Sequence, residues 1–177
     1  MPMIEPLAPA ATDAATRQTL DAVRGKLGMI PNLFSTLAHA PAALNGYLAL
    51  TDALGNGRLT AVQREIVALA VGQSNACHYC LSAHTMLARH AGLDEAGTAL
   101  ARQGRGASTL DDAIARFARQ VVEARGRLSP GDLGALRRDG LDDALMIEVL
   151  AHVALNVLTN YTNHIAGTDV DFPSVAV

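Results

Sequence analysis

Apolar residues recur along this chain at three- and four-residue steps, and no run alternates with period two as a half-buried strand would. The pattern predicts helices throughout, and start and stop signals separate them. A first helix spans about residues 13–27 and closes at Gly28, with Gly25 as an earlier stopping point. Pro31 and Pro41 bracket a short helical piece, and Pro41 opens the next helix, which ends near Gly55. Thr60-Ala61-Val62-Gln63 forms a capping box ahead of Ile66, Val67, Leu69 and Ala70 at helical spacing. The small polar break Gly72-Gln73-Ser74-Asn75 ends that helix, and another begins near Cys77 and stops at Gly92. Further helices are expected from Asp94, over residues 110–124, and from Pro130 with Ser129 as its cap. The last covers residues 142–166 and ends at Gly167, because Asp171-Phe172-Pro173 cannot continue it.

Composition agrees with an all-α fold. Aromatic residues are 3% of the chain and hydrophobic residues 50%, with alanine and leucine prominent. At 177 residues, with no evident linker or short-period repeat, a single domain over residues 1–177 is expected. A net charge of −3, with basic residues scattered, gives no electrostatic footprint for nucleic acid. The start, Met1 to Pro6, has neither a basic head nor a long apolar run, so no secretory signal is expected. Glu148, His152 and Asn156 interrupt the longest candidate for a membrane span, so no membrane association is expected. These readings together place the chain in the cytoplasm. The mean hydropathy of +0.19 is high for a chain of this length, so part of the apolar surface is expected between subunits of a homo-oligomer.

Only two cysteines are present, Cys77 and Cys80. In a reducing compartment such a pair is expected to serve redox or metal chemistry rather than to act as a permanent staple. With Cys77 at a helix start, Cys77, Cys80 and His84 follow i, i+3, i+7 spacing and share a face. Cα atoms three apart on a helix lie about 5–6 Å from one another, within disulfide range. The first helical turn also offers unpaired N–H groups and a positive dipole end, which favour thiolate over thiol. His84 is placed to accept or relay a proton. Glu65, set among Ile66, Val67 and Leu69 on the preceding helix, is a partly desolvated carboxyl suited to general acid–base work. Two other readings of the cysteines carry less. Structural zinc needs four ligands, and only Glu65 or His78 could complete the set. A thioredoxin-like site needs strand–helix–strand patterning that is absent here.

Glu65, the Cys77-x-x-Cys80 pair and His84 together resemble the signature of the alkyl hydroperoxidase D-like (AhpD-like) branch of the carboxymuconolactone decarboxylase superfamily. The redox core so identified covers about residues 41–92, and Asn160-Tyr161-Thr162-Asn163-His164 with Asp171-Phe172-Pro173 resembles its peroxidase-related subgroup. One departure is that members of the family often carry His directly before the second cysteine, where this chain has Tyr79, with His78 one place earlier. The resemblance implies an AhpD-like helical domain assembled as a homotrimer or homohexamer. It implies a peroxidase or disulfide reductase acting on organic hydroperoxides, with Cys80 as the attacking thiol, Cys77 as the resolving thiol, and Glu65 and His84 handling protons. It implies no bound organic cofactor, an external dithiol reductant, and a lipoyl-bearing acyltransferase as partner through protein-bound dihydrolipoamide. The alternatives are a lyase like carboxymuconolactone decarboxylase, whose members generally lack the cysteine pair, and a redox-sensing disulfide-exchange module.

A second feature lies on the last helix. Glu148, His152, Asn156, Asn160 and His164 recur every four residues as a slowly drifting polar stripe. Ordinary structural placement is expected for Glu148 and His152. Asn160 or His164 is the candidate for lining a pocket beside the thiols. His39 and His90 have no evident partner, and Arg137-Arg138 reads as a solvated helix face.

Overall fold

The computed structural model describes residues 1–177 as an all-helical protein with no strand. Its helices are α1 (Ala14–Leu27), α2 (Asn32–Leu37), α3 (Pro41–Gly55), α4 (Ala61–Ser74), α5 (His78–Ala91), α6 (Glu95–Arg102), α7 (Thr109–Glu123), α8 (Pro130–Arg138) and α9 (Asp143–Ala166). A short 3-10 turn at Pro9–Ala11, which the apolar pattern does not announce, precedes them.

The expected start and stop signals act as read. Asp13, Asp94, Ser129 and Asp142 each cap a helix by accepting the backbone N–H three residues on, and Ser108, a cap the sequence reading did not name, does the same for α7. The Thr60–Gln63 capping box forms in both directions. Gly28, Gly92 and Gly167 close α1, α5 and α9 in the left-handed conformation. One boundary differs. The Gly72-Gln73-Ser74 stretch, expected as a break, belongs to the last turn of α4. Gly72 is buried there against α5, with Leu81 and Cys80 in van der Waals reach of its α-carbon side, and its carbonyl accepts from the Cys77 N–H at 2.9 Å. Packing against α5 thus outweighs glycine's poor helix propensity.

Helix α4 lies at the centre, packed on α5, α6, α7 and α9. One hydrophobic cluster joins these helices through residues such as Leu69, Leu81, Ile114 and Val149, all fully buried. A second, smaller cluster gathers Leu20, Leu33, Leu37 and Leu44 from α1–α3 around Cys77, Tyr79 and Cys80. The cysteines therefore sit under the amino-terminal helices, at the margin of the main core.

Helix α9 is long and apolar enough to cross a membrane by length and composition alone, so its polar residues do not interrupt it as the sequence reading expected. Half of that apolar window is buried in the protein itself, against the other core helices. Polar residues on the inward face explain the discrepancy, because they bond within the fold. Glu148 is the clearest. Its Oε2 accepts from the Arg58 N–H at 2.9 Å and its Oε1 from the Leu59 N–H at 2.8 Å, tying the α3–α4 connection to α9. A Cβ at Gly57 would collide with this carboxylate. Burial pushes the Glu148 carboxyl up, but the backbone N–H bonds outweigh it and hold it below the usual carboxylate range. Replacing Glu148 with Ala strands two backbone donors, and the expected loss is about 1–3 kcal/mol in urea unfolding. A variant as stable as the parent would contradict this role.

Candidate active site

The loop between α4 and α5 delivers the cysteines. Asn75 caps α4, Ala76 takes a left-handed backbone with φ of 52°, and the chain turns directly into α5. A left-handed alanine is unfavourable by about 1 kcal/mol, so the turn is held by its surroundings. One tie is visible: Asn75 Nδ2 donates to Asn160 Oδ1 on α9 at 2.9 Å. Cys77 is then the N-cap of α5, with its Sγ accepting from the Cys80 N–H at 3.3 Å, where a serine or aspartate oxygen more often stands.

Cys77 and Cys80 are joined as a disulfide across this first turn, with Cα atoms 5.3 Å apart. The expected pairing geometry is therefore present. Both residues are sealed, with 1% and 3% of their surface exposed. The Cys80 sulfur has one polar neighbour outside its own turn, Asn163 of α9, whose Nδ2 donates to it at 3.4 Å.

His84 follows one turn after Cys80 on the same face of α5. Its Nδ1 meets Glu65 Oε2 of α4 at 2.8 Å, in a pair whose side chains are 22% and 17% exposed. Glu65 therefore comes from the exposed edge of a helix that is otherwise buried from Ile66 to Gly72. The four residues singled out from the sequence stand as two bonded pairs on adjacent helices, one a disulfide and the other a hydrogen bond. With Glu65 bonded to His84, and His78 bonded through Nε2 to Ser174 Oγ at 2.9 Å, neither completes a metal set with the sulfurs.

Neither neighbour of Cys80 takes the place of the missing family histidine beside it. His78 is exposed and faces the carboxy-terminal tail. Tyr79 is buried, its hydroxyl accepting from the Leu33 N–H at 3.3 Å and its ring packed edge-on to Phe172. Burial holds the Tyr79 phenol well above its ordinary value, so it stays protonated. It anchors α2 and the tail over the site and makes no bond to the Glu65–His84 pair.

A cavity of about 540 Å³ opens beside these groups. Leu33, Phe34, Tyr47, Leu155 and Phe172 form apolar wall, while Glu65, His84, His152 and Asn156 supply polar groups. The exposed residues Lys26 and His90 mark its rim. Tyr79 and Ala83, on either side of Cys80 in sequence, line it, but the two cysteines do not. Burial draws the His152 imidazole below its ordinary value, against the pull of Glu148, so at neutral pH it faces the cavity region uncharged.

The polar stripe of α9 resolves differently from its four-residue reading. His152, expected to be merely structural, lines the cavity, as does Asn156, for which the stripe suggested no role. Asn160 is fully buried and bonded to Asn75 rather than lining it, and His164 is exposed and stacked on Tyr161. The residue that reaches the thiols is Asn163, which the four-residue steps pass over. Following one face of an α-helix through 152, 156, 159 and 163 would have found it.

The carboxymuconolactone decarboxylase family model matches residues 38–124. A crystal structure of an alkylhydroperoxidase AhpD core, an uncharacterized peroxidase-related protein from Ralstonia eutropha JMP134, is 27% identical with a TM-score of 0.86. The match covers 96% of this chain and 92% of that one. Over residues 38–124 this chain matches the carboxymuconolactone decarboxylase family, and its fold is AhpD-like. The AhpD-like fold extends to more distant structures. A peroxidase-related protein from Silicibacter sp. TM1040 has a TM-score of 0.79 at 22% identity, covering 94% of this chain and 92% of that one. The debrominase Bmp8, in its apo form, has a TM-score of 0.80 at 16% identity, covering 96% and 92%. Both of these likenesses concern the fold alone. No curated protein matches the chain.

Proposed function

We propose that this AhpD-like protein is a thiol-dependent peroxidase that reduces organic hydroperoxides through a dithiol–disulfide cycle at Cys77 and Cys80. The observation that carries the reading is the disulfide in the first turn of α5, with the Glu65–His84 pair one turn on and an apolar cavity alongside. The Cys80 thiolate attacks the terminal oxygen of the hydroperoxide. An S–O bond forms, the O–O bond breaks, and the departing alkoxide takes a proton to become the alcohol. Cys80 is left as a sulfenic acid. The Cys77 thiolate then attacks that sulfur, forming the disulfide and releasing the oxygen as water after protonation. An external dithiol exchanges with the disulfide, returning both protein thiols and leaving as its own disulfide. His84 takes the thiol proton and passes it to the alkoxide, while Glu65, bonded to Nδ1, orients the imidazole. The cycle needs no bound organic cofactor. The reductant favoured here is a protein-bound dihydrolipoyl group on an acyltransferase partner, in a reducing cytoplasm. Because both sulfurs are sealed in the disulfide form, the proposal requires Cys80 to open to the cavity once reduced.

A lyase reading draws on one observation: Glu65 and His84 line the cavity and the cysteines do not. It places proton transfer on that pair alone and is indifferent to the thiols.

We also propose that copies of the chain assemble through α9, as a homotrimer or homohexamer. Ile147, Leu150, Ala154, Leu158, Tyr161 and Ile165 form an exposed apolar stripe at three- and four-residue steps along this helix. Light scattering is expected to give a multiple of the 18.5 kDa chain mass, and Ile165→Glu with Leu158→Glu to shift it towards the monomer. A monomeric parent protein at micromolar concentration would end that proposal.

The catalytic reading is tested by steady-state consumption of an organic hydroperoxide with dihydrolipoamide as reductant. Cys80→Ser and Cys77→Ser should abolish turnover, and Glu65→Gln should lower it by about 10²-fold or more. Full turnover by the double Cys→Ser protein, on hydroperoxide or on a lactone acid, would move the assignment to the lyase.

A further inference from the structure

The two sulfurs of the pair have different hydrogen-bond donors. The amino-terminal N–H groups of a helix are the usual means of stabilising a thiolate in a first-turn cysteine pair. Here the N–H aimed at sulfur, that of Cys80, points to Cys77 Sγ at 3.3 Å. Cys80 Sγ, the atom that the peroxidase reading makes the nucleophile, receives one hydrogen bond, and it comes from Asn163 Nδ2 at 3.4 Å.

Asn163 has no other side-chain business. It is 5% exposed, and its Oδ1 is buried without a partner. Burying an amide with half its hydrogen-bonding capacity unused costs stability, so packing alone gives no reason to keep one at this position. Its placement is fixed from both sides. One turn earlier Asn160 holds Asn75, at the entrance to the cysteine turn, at 2.9 Å. The Asn163 carbonyl itself accepts the closing bonds of α9 from Gly167 and Thr168. Through Asn160 and Asn163, α9 thus holds both Asn75, ahead of the cysteine turn, and Cys80 at its end.

We propose that the Asn163 carboxamide is a catalytic residue that donates to the Cys80 sulfur and stabilises the negative charge this atom carries as the attacking thiolate. The inference rests on the reading of Cys80 as the nucleophile. A neutral donor suits the position. Asn163 stabilises the anion in a buried site without the ion-pair partner that would hold the sulfur too tightly to react. It also remains in place to donate to the sulfenic oxygen that the reaction leaves on Cys80.

The test is an ultraviolet titration of the Cys80 thiolate in reduced Cys77→Ser protein, with and without Asn163→Ala or Asn163→Asp. Removing a donor disfavours the anion, so Asn163→Ala should raise the titration midpoint by about one pH unit, a tenfold loss of thiolate below it. Asn163→Asp keeps the shape and places a carboxylate against the sulfur, so its midpoint should rise further. The rate constant for hydroperoxide should fall in proportion to the thiolate fraction and recover at high pH. A structural role would instead lower the melting temperature and leave the midpoint where it was. Unchanged midpoints in the two variants would overturn the proposal, and Asn163→Asp carries the test alone should the alanine variant not fold. The titration uses no peroxide. A shifted midpoint in a protein that reduces no hydroperoxide would therefore sink the peroxidase reading, and with it the catalytic role, while leaving Asn163 as the donor that stabilises the Cys80 thiolate.

Discussion

The burial of α4 is the constraint on which the rest of the structure depends. Seven consecutive residues, Ile66 to Gly72, are inaccessible, because α5, α6, α7 and α9 surround this helix. A helix apolar on all sides can only be a core element. Its polar residues are therefore confined to its ends and to one edge, and that edge carries Glu65. On that edge, beside α5, the carboxylate meets His84 at 2.8 Å. The same packing brings α5 against Gly72 and sets where Cys77 and Cys80 begin. Site geometry here is a by-product of core geometry.

Electrostatics then divides the work among neighbours. The two sulfurs have separate donors, one from the backbone of their own turn and one from α9. Glu65 and His84 bond to each other, and Tyr79, directly before Cys80, is held protonated by burial and spent on anchoring α2. The cavity is bounded largely by apolar groups, with His152 kept neutral, Arg64, Glu65 and His84 as further polar lining groups, and the exposed Lys26 and His90 at the rim. Such a lining admits a neutral organic molecule with a polar head directed at Glu65 and His84.

Much of this was legible in the sequence, for local reasons. Caps, glycine stops and prolines are written in single residues, so eight of the nine helices start within a residue or two of where Asp13, Pro31, Pro41, Thr60, Cys77, Asp94, Ser129 and Asp142 put them. The cysteine pair and its histidine were legible because their spacing lies within one helix. What escaped depends on contacts between distant segments. Gly72 reads as a breaker until α5 is packed on it. Glu148 reads as a surface or stripe residue until the α3–α4 connection offers it two N–H groups. Asn163 was hidden by counting in fours along a helix that turns every 3.6 residues, and its partner lies 83 residues away. The cavity is assembled from six helices and the tail, and no single stretch of sequence announces it.

The central claim is that hydroperoxide reduction and disulfide formation are one event at Cys77 and Cys80. The most direct measurement is a single-turnover reaction of the fully reduced protein with less than one equivalent of an organic hydroperoxide, scored for alcohol, thiols and disulfide together. The account predicts one alcohol released and two thiols lost per disulfide formed, at a rate far above that of a free thiol. Thiol loss no faster than a free cysteine's, or alcohol formed without a matching disulfide, would contradict it.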